Sequence, residues 1–177
     1  MKLKRVVLGI GLLVVACTRP ETPTGEEYQD VPADMVMIGM TEYMTSGGLR
    51  QAQLKGDTAY VYDDSGKVAI KGVNLLIYNE LGAQSAKLTS KTGDFNTTNQ
   101  GMIARGKVVL ITNERNLRIE TEELFYDPES HRVWSNVPTV IIEAGRRSNA
   151  AGGFESDDKF ANVKVRGLTG RVGGVKF

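Results

Sequence analysis

The stretch LRIETEELFYDPESHRVWSNVPTVIIEA (Leu117 to Ala144) decides the fold. Its first eleven residues alternate: Leu117 and Ile119 point one way, Arg118, Glu120 and Glu122 the other. That period of two belongs to a half-buried strand. PESH (Pro128 to His131) supplies turn chemistry, and Arg132 to Ala144 resumes a run rich in β-branched residues. The stretch therefore reads as strand, turn, strand.

The same grammar extends in both directions. Strands are expected over Met35 to Met44, Leu49 to Asp63, Lys67 to Asn79, Ser85 to Thr97 and Gln100 to Thr112. Turns fall at SGG (Ser46 to Gly48), DDSG (Asp63 to Gly66) and NERN (Asn113 to Asn116). GRRSNAAGG (Gly145 to Gly153) reads as a loop, and Phe154 to Val172 closes the domain. No window carries a helical stripe. A weak repeat runs through the ladder: Leu88, Leu124 and Phe160 are spaced by 36 residues, and Gly72 and Gly106 by 34. Paired strands with one apolar edge cannot bury it alone, so they must stack. The fold class is all-β and antiparallel, a sheet folded over on itself.

GKVVLIT (Gly106 to Thr112) is apolar on both faces. Such a strand is central, or meets another subunit, or borders an interior large enough to hold a ligand. Aromatic residues make up only 7% of the chain. With few rings to plug the interior, an apolar slot is favoured over a filled sandwich.

The N-terminus carries a different message. Lys2, Lys4 and Arg5 precede the apolar run Val6 to Ala16, which is too short for the roughly 20 residues that span a bilayer. It has the form of a signal-peptide core. It ends in VVAC (Val14 to Cys17), which holds the sole cysteine and resembles a bacterial lipobox. That resemblance implies acylation of Cys17, cleavage after Ala16 and a lipid-anchored mature protein; the alternative is an ordinary secretory signal with an incidental cysteine. Residues 1–16 are thus read as signal, 17–34 as an extended tether rich in Pro, Thr and Glu, 35–172 as the folded domain and 173–177 as a tail. Removing the first sixteen residues leaves 19 basic against 21 acidic residues, a net charge of −2. No clustered basic surface for nucleic acid is legible in that balance.

No catalytic constellation emerges. His131, the single histidine, sits in a turn beside Arg132 and reads as a solvated residue. Glu120 and Glu122 share the exposed face of a strand, and no Cys or His spacing suggests zinc. Ser46 and Ser135 lack a nucleophile elbow, and no glycine-rich loop is followed by a helix. The chain is read as neither an enzyme nor a cofactor protein.

Three segments, GGLRQAQLKGDTAYVYD, NLRIETEELFYDPESHRVWSNVPTVI and GGFESDDKFANVKVRGLTGRV, together resemble the LptC family of lipopolysaccharide export. The resemblance covers roughly Thr41 to Val172. It implies a β-jellyroll, or folded taco, with an apolar groove open along one side for the acyl chains of lipopolysaccharide. It further implies a position between an inner-membrane ABC transporter and a periplasmic bridge protein, joined edge to edge through the terminal strands. Many members carry a transmembrane helix where this chain has Cys17, so a lipid-anchored variant on the periplasmic face of a membrane, the inner one foremost, is expected. The groove is predicted to be lined by Leu54, Leu76, Leu88, Val108, Leu110, Ile119, Leu124, Val140, Phe160 and Val163. The competing reading is a scaffold lipoprotein with a closed interior, which recruits partners by edge pairing and carries no lipid.

Overall fold

A computed structural model of the chain describes residues 33–113 and 115–171. The signal segment, Cys17, nearly all of the tether and the C-terminal tail lie outside the described residues. Twelve antiparallel strands form one sheet. They are β1 (Met35–Ser46), β2 (Leu49–Tyr62), β3 (Lys67–Tyr78), β4 (Gln84–Asn96), β5 (Met102–Thr112) and β6 (Leu117–Asp127), then β7 (Arg132–Ser135), β8 (Thr139–Glu143), β9 (Arg146–Ala150), β10 (Phe154–Asp157), β11 (Lys164–Val165) and β12 (Leu168–Arg171). The first six form a meander of long strands. Beyond them the sheet divides: β6 pairs with β8 through residues 117–121 and with β7 through residues 125–127.

The expected single strand from Arg132 to Ala144 is therefore two strands. Pro138 cannot donate to a ladder, and Asn136 to Pro138 carries the chain from one partner position to the other. Inside the division, Thr121 Oγ1 lies 3.0 Å from Ser135 Oγ, and Thr139 Oγ1 donates to Thr121 Oγ1 at 3.1 Å. All three hydroxyl residues are buried. The expected loop 145–153 is also corrected. It contains β9, because Ala144 (φ 48°) and Gly145 (φ 79°) make a two-residue turn that pairs Glu143 with Arg146.

A second feature is invisible to strict alternation. Gly72 (φ 67°) and Gly106 (φ 75°) are left-handed, as is Gly39 in β1 (φ 67°). They define a line across the meander where the inward phase changes. Along each strand the inward set changes at it: Ala52 and Leu54 give way to Ala59, Ile70 to Val73 and Leu75, and Leu117 and Ile119 to Leu124. At Gly72 the requirement is conformational: a φ of 67° strains any residue that carries a Cβ. In β5 the pairing slips at Gly106 and Lys107, a bulge that bends the strand.

This line is the crease of the fold. One layer of sheet leaves both faces wet, yet Leu117 and Ile119 are at most 1% exposed. Their cover is the other half of the same sheet: core residues from both sides of the crease form one cluster, from Leu54 and Leu110 to Ile70, Met102 and Phe154. Across the half of the sheet that holds Leu54, here called the half before the crease, Leu54, Leu75, Leu88, Leu110, Ile119 and Ile141 sit in direct register on successive strands. At about 25 cal/mol per Å² of buried apolar surface, such a ladder dominates the stability of the sheet.

Candidate functional site

The inner faces of the two half-sheets define the candidate site. Leu54, Leu88, Val108, Leu110, Ile119, Leu124 and Phe160 are buried there, and Val163 is half-buried against the same cluster. Leu76 and Val140 are not part of it. Leu76 stands opposite Gln53 and Lys87, and Val140 opposite Glu120 and Asn149, all on the outer face. Gly72 reverses the phase of β3, so Leu75 takes the inward place expected for Leu76. In β8 the run TVII is apolar on both parities. Thr139 turns inward because its hydroxyl finds Thr121 and the Val137 carbonyl, and Ile141 follows it.

Alternation also passed over the lip of the site. Met37, Met40 and Met44 of β1 are partly buried against the core. Methionine is unbranched and polarizable, and it adapts to irregular apolar partners. Among the described residues no strand pairs with the other long edge of β1, and Ile38 on this strand is 68% exposed. At the far end, the single last strand expected near Val163 to Val172 is two short ones: β11 pairs with β10, and β12 with β9.

Residues 157–163 bring Phe160 and Val163 onto the same core cluster. This segment belongs to the hairpin between β10 and β11 and carries no regular structure beyond its first residue. Phe160 is buried in the core at a φ of 54°, a left-handed conformation that a bulky residue adopts only under constraint. Two devices supply that constraint. Asp157 accepts hydrogen bonds from the Ala161 and Asn162 amides at 2.8 and 3.1 Å and from the Asn162 side chain at 3.0 Å. Partial burial pushes the Asp157 carboxyl up, but these donors outweigh it and hold the group below the usual range. From the turn between β5 and β6, Arg115 reaches across and donates to the carbonyls of Phe160 (2.5 Å) and Ala161 (2.9 Å). Its other arm binds Glu143. The third member of the 36-residue repeat thus sits in a strap and not in a strand.

Beside these apolar faces, two shallow surface concavities carry charged side chains. One is lined by Lys107, Glu120 and Glu122 with their neighbours, the other by His131, Arg132, Glu155 and Asp157 with theirs. His131 is in an exposed turn, its Nδ1 2.7 Å from Asp158. Among the described residues no cluster of acidic, His or Cys side chains could hold a metal ion.

A family model described as "LptC: Lipopolysaccharide-assembly, LptC-related" matches residues 6–165. The chain belongs to this LptC-related family. Its members are periplasmic components of lipopolysaccharide transport and not enzymes. Among solved structures, the chain is similar to LptH of Pseudomonas aeruginosa, described as the LptA-homologous periplasmic component of the lipopolysaccharide transport device. The match has a TM-score of 0.52 and 16% identity, and covers 64% of this chain and 80% of that one. At that identity it shows the fold, an LptA-like jellyroll. No curated protein matches by sequence.

Proposed function

We propose that this LptC-related domain takes lipopolysaccharide from an inner-membrane ABC transporter, holds its acyl chains between the two half-sheets, and passes them to a bridge protein. Cys17 carries the lipid that keeps the domain at the periplasmic face of the membrane. The terminal strands supply the contacts to both neighbours. The observation that carries this reading is the crease, which turns two aliphatic faces toward each other under a segment that is not part of the sheet. A chain inserted there gains about 0.8 kcal/mol per buried methylene. Phe160 is buried in the cluster between those faces, so admission of lipid requires the 157–163 strap to lift. Unpaired edges at the ends of the sheet suit partners that add strands.

The test is photocrosslinking in living cells, with a photoreactive residue at inward Leu110 and a control at outward Glu120. Lipopolysaccharide adducts at Leu110 and none at Glu120 support the transfer reading. The scaffold reading is favoured by the packed state of the interior, and it predicts no lipid adduct at Leu110 or its neighbours.

A further inference from the structure

The crease divides the outer face of the sheet into two unlike halves. Beyond the crease, three of the cations are held in ion pairs. Lys67 and Arg105 bind Asp94 at 3.2 and 2.6 Å, Arg105 also binds Glu123 at 2.9 Å, and Arg132 binds Glu155 at 2.7 Å. Before the crease the pattern changes. One row in direct register across successive strands reads Leu76, Lys87, Ile111, Arg118, Ile142, Arg147. Aliphatic and cationic residues alternate along it, and Ile111 is 37% exposed. Lys55 and Lys107 flank the row. Among the described residues, Lys55, Lys87, Lys107 and Arg147 form no ion pair. Two acids face the same way: Glu120 is held by Arg118 at 2.7 Å, and Glu122 accepts the Lys107 amide at 3.2 Å. Through Gln53 of β2 the row continues to Tyr43 of β1, and Tyr78 stands two residues from Leu76 on β3; the Arg50 guanidinium lies 4.4 and 5.9 Å from the two ring centres.

We infer that this half of the outer face docks on the surface of an anionic phospholipid bilayer. Three features specify that occupant together. Unpaired cations call for an anionic partner. Aliphatic side chains set between them call for a partner that is apolar a few ångströms below its charge, which excludes a purely ionic surface. Tyrosines at the row's end match the preference of aromatic side chains for the headgroup layer. The row crosses eight strands, so at ~4.8 Å per strand it spans about 34 Å, enough to rest on many headgroups. This inference is independent of the acyl slot, which lies on the other face.

The test uses the full-length chain with a photoreactive residue at Ile111, and a second version with it at Ile103. Both lie on the outer face of β5, on opposite sides of the crease. Each is mixed with vesicles of phosphatidylethanolamine and phosphatidylglycerol, and with vesicles of phosphatidylcholine alone. Phospholipid adducts at Ile111 and few at Ile103 are expected in the anionic vesicles. They should fall about tenfold in high salt, in the neutral vesicles, and in the Lys87→Glu/Arg147→Glu variant. A Lys87→Gln/Arg147→Gln variant repeats the measurement without introducing new charge, and far-ultraviolet circular dichroism checks that each variant keeps its strands. Equal labelling at the two positions, labelling indifferent to lipid charge, or no adduct at Ile111 would overturn the inference.

Discussion

At the scale of single residues, Gly153 is the most constrained position of the interior. Its φ is 81°, and a Cβ would lie 2.1 Å from the Ser135 carbonyl oxygen, the atom that also receives Arg166 at 2.7 Å. Both sides of that clash are backbone, so neither can yield cheaply. Gly153→Ala is expected to cost roughly 3 kcal/mol, read as a lowered midpoint in urea unfolding. Leu75 and Leu76 make a paired test of the crease. Leu75→Ala removes a core side chain and should cost about 2–5 kcal/mol, whereas Leu76→Ala, on the outer face, should cost about 1 kcal/mol or less. Equal losses would mean that β3 keeps one phase along its length. The contrast also shows what alternation conveys. Leu54, Leu88, Leu110 and Ile119 were legible because their strands keep one phase from turn to crease. Leu76 was not, because the left-handed state of Gly72 has no signature beyond the glycine itself.

At the scale of elements, the strap 157–163 holds the chemistry that the sequence conceals. The spacing from Leu88 to Phe160 marks a buried position correctly, but it says nothing of a loop held by an arginine 45 residues away. Asp157 gives the strap a pH dependence. Its carboxyl is held below the ordinary range of about 3.9. The folded state therefore binds fewer protons than the unfolded one, and the stabilisation is present above that range and lost as pH falls through the folded value. Asp157→Asn should unfold more easily at neutral pH by about 1 kcal/mol, with the gap to wild type closing in acid. Titrated urea unfolding measures this, and a gap constant with pH would assign the loss to packing alone. Arg115→Gln addresses function instead. It releases the carbonyls of Phe160 and Ala161 while leaving the core side chains in place, so lipid adducts at Leu110 should increase severalfold in living cells. An increase ties admission to the strap, and unchanged adducts would mean that lipid enters elsewhere along the slot.

At the scale of the whole molecule, the fold ends in unlike edges. The C-terminal end is broken into β11 and β12, two and four residues long, which blunts it against indiscriminate pairing. The β1 end is one strand of twelve residues with no strand on its far side among the described residues, and Met35 and Ile38 are 54% and 68% exposed. A long edge with exposed apolar side chains is an aggregation hazard unless a partner covers it. Since Val36 and Ile38 stand on the outer face of that edge, lysines there would leave the core intact and oppose close approach of another strand. Val36→Lys/Ile38→Lys should keep the unfolding midpoint within about 0.5 kcal/mol of wild type. The same variant should lose protein crosslinks from a photoreactive residue at Thr41, measured in living cells. Loss of crosslinks with unchanged stability assigns β1 to partner pairing by strand addition. Retained crosslinks would move the contact to the methionine lip on the inner side of the same strand, where Met37, Met40 and Met44 meet the core.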